Sequence, residues 1–178
     1  MGQELESSHC FQSLFTNPKI RWSQESFVYD ASLMGDDVPY LLEHATGRVV
    51  ELPSHYALDD WPHFMASRDF NYFMSIKPPR QAMEVYAAEF DAMWEYGGLW
   101  IAVWHPFLSG RLARCVAIAE LIAYMHTKGQ VWFARLDEIA AYVQQLTQAG
   151  AWTPRVDRLP YYPGPIPELG EAKPTLAR

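Results

Sequence analysis

The second half of the chain alternates between helical and strand-like segments, and this order restricts the fold more than any other feature. Apolar residues recur at helical spacing over residues 80–96, 111–127 and 136–148. The continuous apolar run 99–104 lies between the first two of these segments, and the shorter run 131–134 lies between the last two. Strands that alternate with helices in this way are usually parallel and joined by right-handed crossovers. The sequence therefore predicts an α/β fold.

Glycines mark the ends of the three predicted helices. Gly97 and Gly98 follow the first helix, Gly129 follows the second and Gly150 the third, as expected at helix C-termini. One more strand is predicted upstream, at 48–53, which gives about three parallel strands, whereas a closed barrel of the standard form needs about eight. The chain therefore has fewer predicted strands than a complete barrel requires.

The composition is that of a globular protein. The 178 residues suit one domain, and 49% of them are hydrophobic and 15% aromatic, which excludes disorder as the main state. The 14 basic and 21 acidic residues give a net charge of −7, so the surface cannot carry a broad positive face. We therefore expect no nucleic-acid partner.

Several features favour a cytoplasmic protein without a membrane partner. Cys10 and Cys115 are the two cysteines and lie far apart in the sequence; one disulfide is conceivable, but a disulfide framework is not. No apolar run approaches the ~20 residues of a membrane span. The first eight residues are acidic and polar, unlike a secretory signal.

The C-terminal segment is rich in proline, which excludes a helix or a central strand there. The prolines are Pro154, Pro160, Pro163, Pro165, Pro167 and Pro174. We expect residues 151–178 to form an extended tail. Two alternatives remain open: the tail wraps the surface with Tyr161 and Tyr162 as anchors, or it is mobile.

Polar residues at the carboxyl ends of parallel strands are the first candidates for a functional site. His105 directly follows the run 99–104. Residues 52–63 follow the upstream strand and hold two histidines, two aspartates and a tryptophan. A histidine paired with a carboxylate is a good general acid, because the carboxylate orients the ring and favours its protonated form. Taken alone, however, such a histidine is more often a loop or core residue than a catalytic one.

The motifs of metal, nucleotide and serine-nucleophile sites are missing from the sequence. His55 and His63 are eight positions apart, and neither His-x-x-x-His nor His-Glu-x-x-His occurs. The chain also lacks a Gly-x-Ser-x-Gly elbow, a Walker loop and a Gly-x-Gly-x-x-Gly turn. We therefore expect no metal ligands and no cofactor from this chain.

Three stretches together carry a resemblance to a known family. They are Tyr-Asp-Ala-Ser-Leu-Met-Gly-Asp-Asp-x-Pro-Tyr at 29–40, Glu-Leu-Pro-x-His-x-x-Leu-Asp-Asp-Trp-Pro at 51–62, and Glu-Phe-Asp-Ala-Met-Trp-Glu-Tyr-Gly-Gly at 89–98, which runs into His-Pro-x-x-Ser-Gly-Arg at 105–111. The chain resembles the polysaccharide deacetylase (NodB-homology) family, in the branch that contains allantoinase-like and peptidoglycan-deacetylase-like proteins. The similarity runs from about residue 26 to about residue 143.

The resemblance implies a distorted (β/α) barrel that hydrolyses a carbon–nitrogen bond in a linear or cyclic amide. It also assigns roles to residues of this chain. His105 corresponds to the general acid of the family, and Asp60 orients and tunes it. Trp61, His55 and Tyr40 are the residues that we expect to bind the substrate.

The family's general base and metal ligands belong to motifs that precede the matching part, and these motifs do not occur here. We therefore expect residues 1–25 not to match, residues 26–150 to form the C-terminal part of a partial barrel without its N-terminal strands, and residues 151–178 to be the tail. A divalent metal would bind only if its ligands came from elsewhere.

Three functional hypotheses follow. The first is an active hydrolase of a small amide or an N-acetyl sugar, for which His55 and Asp59 are the nearby candidates for a substitute base. The second is a truncated, non-catalytic relative that serves as a binding or interaction module, and the third is a fragment of a longer gene. Missing barrel strands would leave strand edges open, so we expect a homo-oligomer or a complementing chain.

Overall fold

The computed structural model describes residues 27–44, 47–67, 71 and 75–159, and its fold is mixed α/β. It contains one four-stranded sheet and five helices, together with a short 3-10 turn at Tyr56–Leu58. The strands are β1 (Tyr29–Asp30), β2 (Tyr40–His44), β3 (Gly47–Glu51) and β4 (Val156–Arg158). The helices are α1 (Trp61–Phe64), α2 (Pro79–Tyr96), α3 (Pro106–Ser109), α4 (Leu112–Lys128) and α5 (Leu136–Gln148). The expected α/β class is thus confirmed.

The strands lie in the order β1-β3-β2-β4, and the sheet is mixed rather than parallel. β3 pairs in parallel with β1 but antiparallel with β2, where Tyr40 lies opposite Glu51 and His44 opposite Gly47. β4 pairs in parallel with β2. The antiparallel pair corrects the expectation of parallel strands. Its physical reason is that only two residues connect β2 to β3, and a parallel pair would need a crossover of a dozen residues or more.

The three long helices confirm the sequence prediction to within about one residue at each end. α2 packs against α4, and together they bury most of a core cluster that we call the helical core. A second cluster, the sheet core, lies between the sheet and α5. No helix among the described residues is long and apolar enough to cross a membrane.

The end of α2 provides a first test of the structure. Gly97 has a φ of +76° and Gly98 donates its N–H to the Met93 carbonyl at 2.7 Å, which satisfies the last turn of the helix. A Cβ on Gly97 would meet no atom within 4 Å, so the cost of adding one is conformational rather than steric. We expect Gly97→Ala to lower the free energy of unfolding by about 1 kcal/mol in urea denaturation.

The matched control is Gly97→Asn, since asparagine adopts the left-handed conformation more readily than alanine does. We expect Gly97→Asn to lower the free energy of unfolding clearly less than Gly97→Ala does. Equal losses for the two variants would show that the conformation of this residue does not limit stability.

The expectation of strands at 99–104 and 131–134 is wrong for the described sheet, because neither run belongs to it. Val103 makes one isolated parallel bridge, with Asp59. The physical reason is that a strand requires a hydrogen-bonded neighbour, which the apolar pattern of a single segment does not supply. The predicted strand at 48–53 is confirmed as β3. The first 25 residues, with Cys10, and the anchors Tyr161 and Tyr162 lie outside the described residues.

Candidate active site

A buried carboxylate holds a histidine at the end of the run 99–104. Nδ1 of His105 lies 2.5 Å from Oδ1 of Asp60, and the backbone N–H of His105 donates to Oδ2 at 2.9 Å. The Ser109 hydroxyl donates to the same Oδ2. Asp60 is completely buried, so its charge is stabilised by these three donors rather than by water. We call Asp60 and His105 the dyad.

Backbone hydrogen bonds set the position of the dyad. The N–H of Asp60 donates to the Val103 carbonyl at 3.0 Å, and the N–H of Val103 donates to the Leu58 carbonyl at 2.9 Å. These bonds bring the end of the 3-10 turn alongside the end of the apolar run. α3 then begins immediately after His105, and its single turn returns Ser109, whose N–H donates to the His105 carbonyl at 2.8 Å.

The carboxylate determines which ring nitrogen of His105 carries a proton in the neutral ring. Because Asp60 accepts from Nδ1, that nitrogen must be the donor, and Nε2 is left for other chemistry. No described residue is hydrogen-bonded to Nε2, and a third of the side chain is exposed. The arrangement can therefore present a proton, or take one, at a single accessible atom.

Asp59 is the second carboxylate beside His105, with Oδ1 3.8 Å from Nδ1. That same oxygen accepts the backbone N–H of Trp61 at 2.8 Å. Ligand atoms of Asp59, Asp60 and His105 lie within 4.8 Å of one another, which is close enough for a cation to be considered. The hydrogen bonds already use Nδ1 and both oxygens of Asp60, so a cation there would have to break the dyad. This donor set fits an acid–base pair and does not fit a metal ion.

Two aromatic side chains flank the dyad and form what we call the aromatic corner, Trp61 and Phe107. Their ring centroids each lie 5.6 Å from that of His105, and the three rings meet edge to face. Trp61 and Phe107 are 6.2 Å apart at an angle of 84°. Phe107 is 59% exposed, so an apolar ring face is offered to solvent beside the accessible nitrogen.

The structure places Trp61 beside His105, where its expected role in substrate binding stays a prediction, and places His55 and Tyr40 in other contacts. His55 precedes the 3-10 turn, where its Nδ1 accepts the Ala57 N–H at 3.3 Å. Tyr40 is buried in β2, with the Arg155 guanidinium 4.2 Å from its ring centroid. Neither side chain is hydrogen-bonded to the dyad, so their expected role in substrate binding stays a prediction.

His63, whose spacing from His55 matches no metal motif, is buried and uses both ring nitrogens. Nε2 lies 2.8 Å from the Ala57 carbonyl, and Nδ1 lies 3.0 Å from Nζ of Lys77. Nε2 must donate to the carbonyl, so Nδ1 accepts from the ammonium. His63 therefore joins the loop after β3 to the residues before α2 and has no nitrogen left for a metal ion.

Sequence reasoning missed two members of the site. Ser109 belongs to the motif at 105–111 but had no predicted role, and its hydroxyl and backbone both serve to hold the dyad. Phe107 had no predicted role either. The available signal was the motif His-Pro-x-x-Ser, because proline favours the first turn of a helix and a helical turn returns residue i+4 to residue i.

A second pair of carboxyl groups lies in the sheet. Asp30 and Glu51 are opposite each other at the ends of the parallel strands β1 and β3. Oδ1 of Asp30 accepts the Ser32 N–H, and Oε1 of Glu51 accepts the Leu33 N–H, while Oδ2 and Oε2 have no partner among the described residues. Burial, and then the nearby charge of Asp30, raise the pKa of Glu51 to about 8. Glu51 therefore holds a proton at neutral pH.

Comparison with known proteins supports the resemblance seen in the motifs, although no family model and no curated protein matches the sequence. A solved structure from Mycobacterium smegmatis named as a polysaccharide deacetylase is 42% identical, with a TM-score of 0.65 over 72% of this chain. A second, from Pseudomonas aeruginosa PAO1 and also named as a polysaccharide deacetylase, is 25% identical, with a TM-score of 0.57 over 67% of the chain. Puue allantoinase shares the fold at 24% identity, with a TM-score of 0.57 over 71%.

The matches cover much less of the other proteins than of this one. The chain spans 44%, 39% and 41% of these three solved structures, respectively. The matched part therefore corresponds to less than half of each of those proteins.

Proposed function

We propose that this chain, which resembles polysaccharide deacetylases over about 70% of its length and matches part of their domain, provides the proton-donating side of a carbon–nitrogen hydrolase site. The observation that carries the proposal is the dyad, a one-third exposed imidazole held at Nδ1 by a buried carboxylate. The names of the two deacetylases support a small linear amide or an N-acetyl sugar as the substrate class. A partial (β/α) barrel is the fold that we propose for this chain.

The chemical need for the dyad comes from the leaving group. When water or hydroxide adds to an amide carbon, the nitrogen departs as an amine only if it receives a proton, because the amide anion is too basic to leave. His105 gives that proton from Nε2 and becomes neutral. Asp60 keeps the ring in place throughout, since its two oxygens remain bound to the ring, to the backbone and to Ser109. Nε2 then recovers a proton from water.

The aromatic corner supplies the binding surface in this proposal. Trp61 and Phe107 stand at nearly a right angle, so one can contact the face of a substrate ring while the other borders its edge. Their centroids are close enough to His105 that a ring held there would carry its amide group at the accessible nitrogen.

The other half of the reaction needs a general base to activate water. Asp59 is the described carboxylate nearest to the dyad, but its oxygen Oδ1 already holds the N-terminus of α1. His55 already accepts a hydrogen bond from the 3-10 turn. We therefore propose that the base is supplied by polypeptide beyond the matched part of the domain. The alternative function is a non-catalytic binding module, which the existing hydrogen bonds of Asp59 and His55 favour.

The test is hydrolysis of N-acetylated sugar oligomers and of a cyclic ureide, with and without added divalent metal, by this chain combined with the part of the Mycobacterium smegmatis protein that it does not match. We expect His105→Gln to lower kcat by about 100-fold or more, because general acid catalysis contributes about that much. His126→Gln is the matched control, since His126 is exposed and stacks on Phe133 away from the dyad. Equal rates of hydrolysis for wild type and His105→Gln would contradict the hydrolase proposal and favour the non-catalytic binding module.

A further inference from the structure

One positively charged side chain that follows the dyad in the sequence has no partner among the described residues. No ion pair or side-chain hydrogen bond joins Arg111 to another described residue, and Arg111 is exposed. Lys77, by contrast, contacts His63. The described arginines and lysines that form ion pairs with carboxylates are Arg48, Arg80, Lys128, Arg135, Arg155 and Arg158. In a chain with 21 acidic and 14 basic residues, a guanidinium that no carboxylate holds is available to an anion from outside the chain.

The short helix α3 fixes the position of Arg111 relative to the dyad. The N–H of Gly110 donates to the Pro106 carbonyl at 2.9 Å and so closes the turn that begins after His105. A Cβ on Gly110 would lie 2.2 Å from the same carbonyl oxygen, so only glycine permits this close approach. Arg111 follows directly, and its carbonyl accepts the Arg114 N–H at 2.9 Å at the start of α4. The backbone is therefore held continuously from His105 to Arg111.

Arg111 follows α3 on the side that carries the aromatic corner. Phe107 precedes Arg111 by four positions, and residues four positions apart on a helical turn lie on the same side. The exposed Phe107 ring has its centroid 5.6 Å from that of His105, whereas the Ser109 hydroxyl is directed at the buried Asp60. We therefore expect the guanidinium of Arg111 to extend over the solvent-facing side of the dyad rather than its buried side.

Arg114 adds a second positive charge at the same end of α4. Its Nη1 donates to the Leu108 carbonyl, and its guanidinium lies 4.3 Å from the centroid of the Phe64 ring. These contacts hold the side chain in place, but no described carboxylate forms an ion pair with it. We call Arg111 and Arg114 the arginine pair. Of the two, Arg111 is the one whose hydrogen-bond donors are uncommitted.

We propose that Arg111, supported by the charge of Arg114, binds a carboxylate group of the substrate, so that the substrate is an amide on an acidic molecule rather than a neutral one. This assignment rests on the proposed function, since it concerns the same site. A guanidinium matches a planar carboxylate with two parallel hydrogen bonds. The Asp59 carboxylate beside His105 opposes the approach of any anion, and it opposes a doubly charged phosphate about twice as strongly as a carboxylate.

A charged contact at Arg111 would also orient the substrate. The aromatic corner contacts a substrate ring through apolar faces, which leave the ring free to turn. A second contact between a carboxylate and Arg111 fixes the ring at two points, and holding a substrate in one geometry is a large part of catalysis. The amide group then has a defined position relative to Nε2 of His105.

The test is binding to the full 178-residue chain, measured by equilibrium dialysis so that the result does not depend on catalysis. The three probes share one ring: N-acetylglucosaminuronic acid carries a carboxylate, its methyl ester carries no charge, and N-acetylglucosamine 6-phosphate carries a phosphate. We expect the acid to bind about tenfold more tightly than the ester and more tightly than the phosphate, because hydrogen bonds between charged groups contribute about that factor. Arg111→Gln should weaken binding of the acid by about tenfold and leave binding of the ester unchanged.

Arg80→Gln is the matched control, because Arg80 is exposed on α2 and is paired with Glu120. It should leave all three affinities unchanged. Equal affinities of the wild-type chain for acid and ester would overturn the proposal and make Arg111 a solvated surface residue. A preference for the acid that Arg111→Gln retains would overturn it as well, and so would a preference for the phosphate over the acid.

Turnover of the acid and the ester, measured in the combined preparation used to test the proposed function, keeps the two proposals distinct. Hydrolysis of both probes at equal kcat/KM would overturn the role of Arg111 and leave the hydrolase proposal intact. Absence of hydrolysis, together with tighter binding of the acid that depends on Arg111, would contradict the hydrolase proposal and leave the carboxylate site in place.

Discussion

Replacing Asp60 with alanine is expected to lower the free energy of unfolding by about 4 kcal/mol, since removing one member of a buried charged network costs about 3–5 kcal/mol. The side chain is fully buried and accepts from the ring of His105, from its backbone and from Ser109. Alanine leaves all three donors without an acceptor in a site that water does not reach. Urea denaturation followed by tryptophan fluorescence measures the loss.

Asp59→Ala is the matched control for this change. Asp59 is adjacent in sequence and close to the same ring, but only part of its side chain is buried, and its short hydrogen bond is to the Trp61 N–H. Removing a single hydrogen bond from a side chain to the backbone costs about 1 kcal/mol. If Asp60→Ala lowered the free energy of unfolding no more than Asp59→Ala does, the hydrogen bonds of the Asp60 carboxylate would not be what stabilises the site.

Replacing Glu51 with glutamine is expected to stabilise the protein at alkaline pH. The side chain of Glu51 is completely buried, and the pKa of its carboxyl is raised from 4.5 to about 8 by burial first and by the charge of Asp30 second. Because the folded state holds this proton more tightly than the unfolded state does, the stability that depends on it is fully present below about pH 4.5. It is lost progressively as the pH rises to about 8.

The expected size of that loss is on the order of 4 kcal/mol, since each pKa unit corresponds to about 1.4 kcal/mol. Glutamine cannot ionise. It can keep the acceptor for the Leu33 N–H, and its amide N–H₂ can donate to the unpartnered Oδ2 of Asp30. We therefore expect wild type and Glu51→Gln to be similarly stable at pH 5 and to differ by about 4 kcal/mol at pH 9.

The measurement is urea denaturation of both proteins at pH 5, 7 and 9. Titrating groups other than Asp30, which interacts with Glu51, affect wild type and variant alike, so the difference between them reports on this pair of carboxyl groups. Glu84→Gln is the control, because Glu84 lies on the exposed face of α2 and should leave the pH profile unchanged. Parallel profiles for wild type and Glu51→Gln would show that Glu51 is ionised in the folded protein.

The parts of the fold that depend on local pattern were predictable from the sequence. α2, α4 and α5 follow from apolar spacing and from glycines such as Gly97, because a helix makes its hydrogen bonds within its own segment. Strands make theirs with distant segments. The run 99–104 has a strand's composition and alternating packing, yet its neighbours are not encoded in the run itself. The same reason explains why the antiparallel pairing of β2 with β3 was missed.

The same difference between local pattern and long-range contact applies to the candidate site. His105 and Asp60 were singled out from the expected strand ends and from the family resemblance, and the structure joins them by a 2.5 Å contact. Nothing in the sequence indicated that Phe107 borders the dyad, since an aromatic residue beside proline occurs in many structural settings. The pairing of Asp30 with Glu51 could not be foreseen either, because it depends on the register between β1 and β3.

The separation of the dyad along the chain has a kinetic consequence. Asp60 and His105 are 45 positions apart, and all of α2 lies between them. Closing a loop of this length carries an entropic cost that must be met before the contact contributes any stability. The contact between Asp60 and His105 is therefore non-local, and contacts of this kind slow folding. We expect no short peptide spanning His105 to reproduce the geometry.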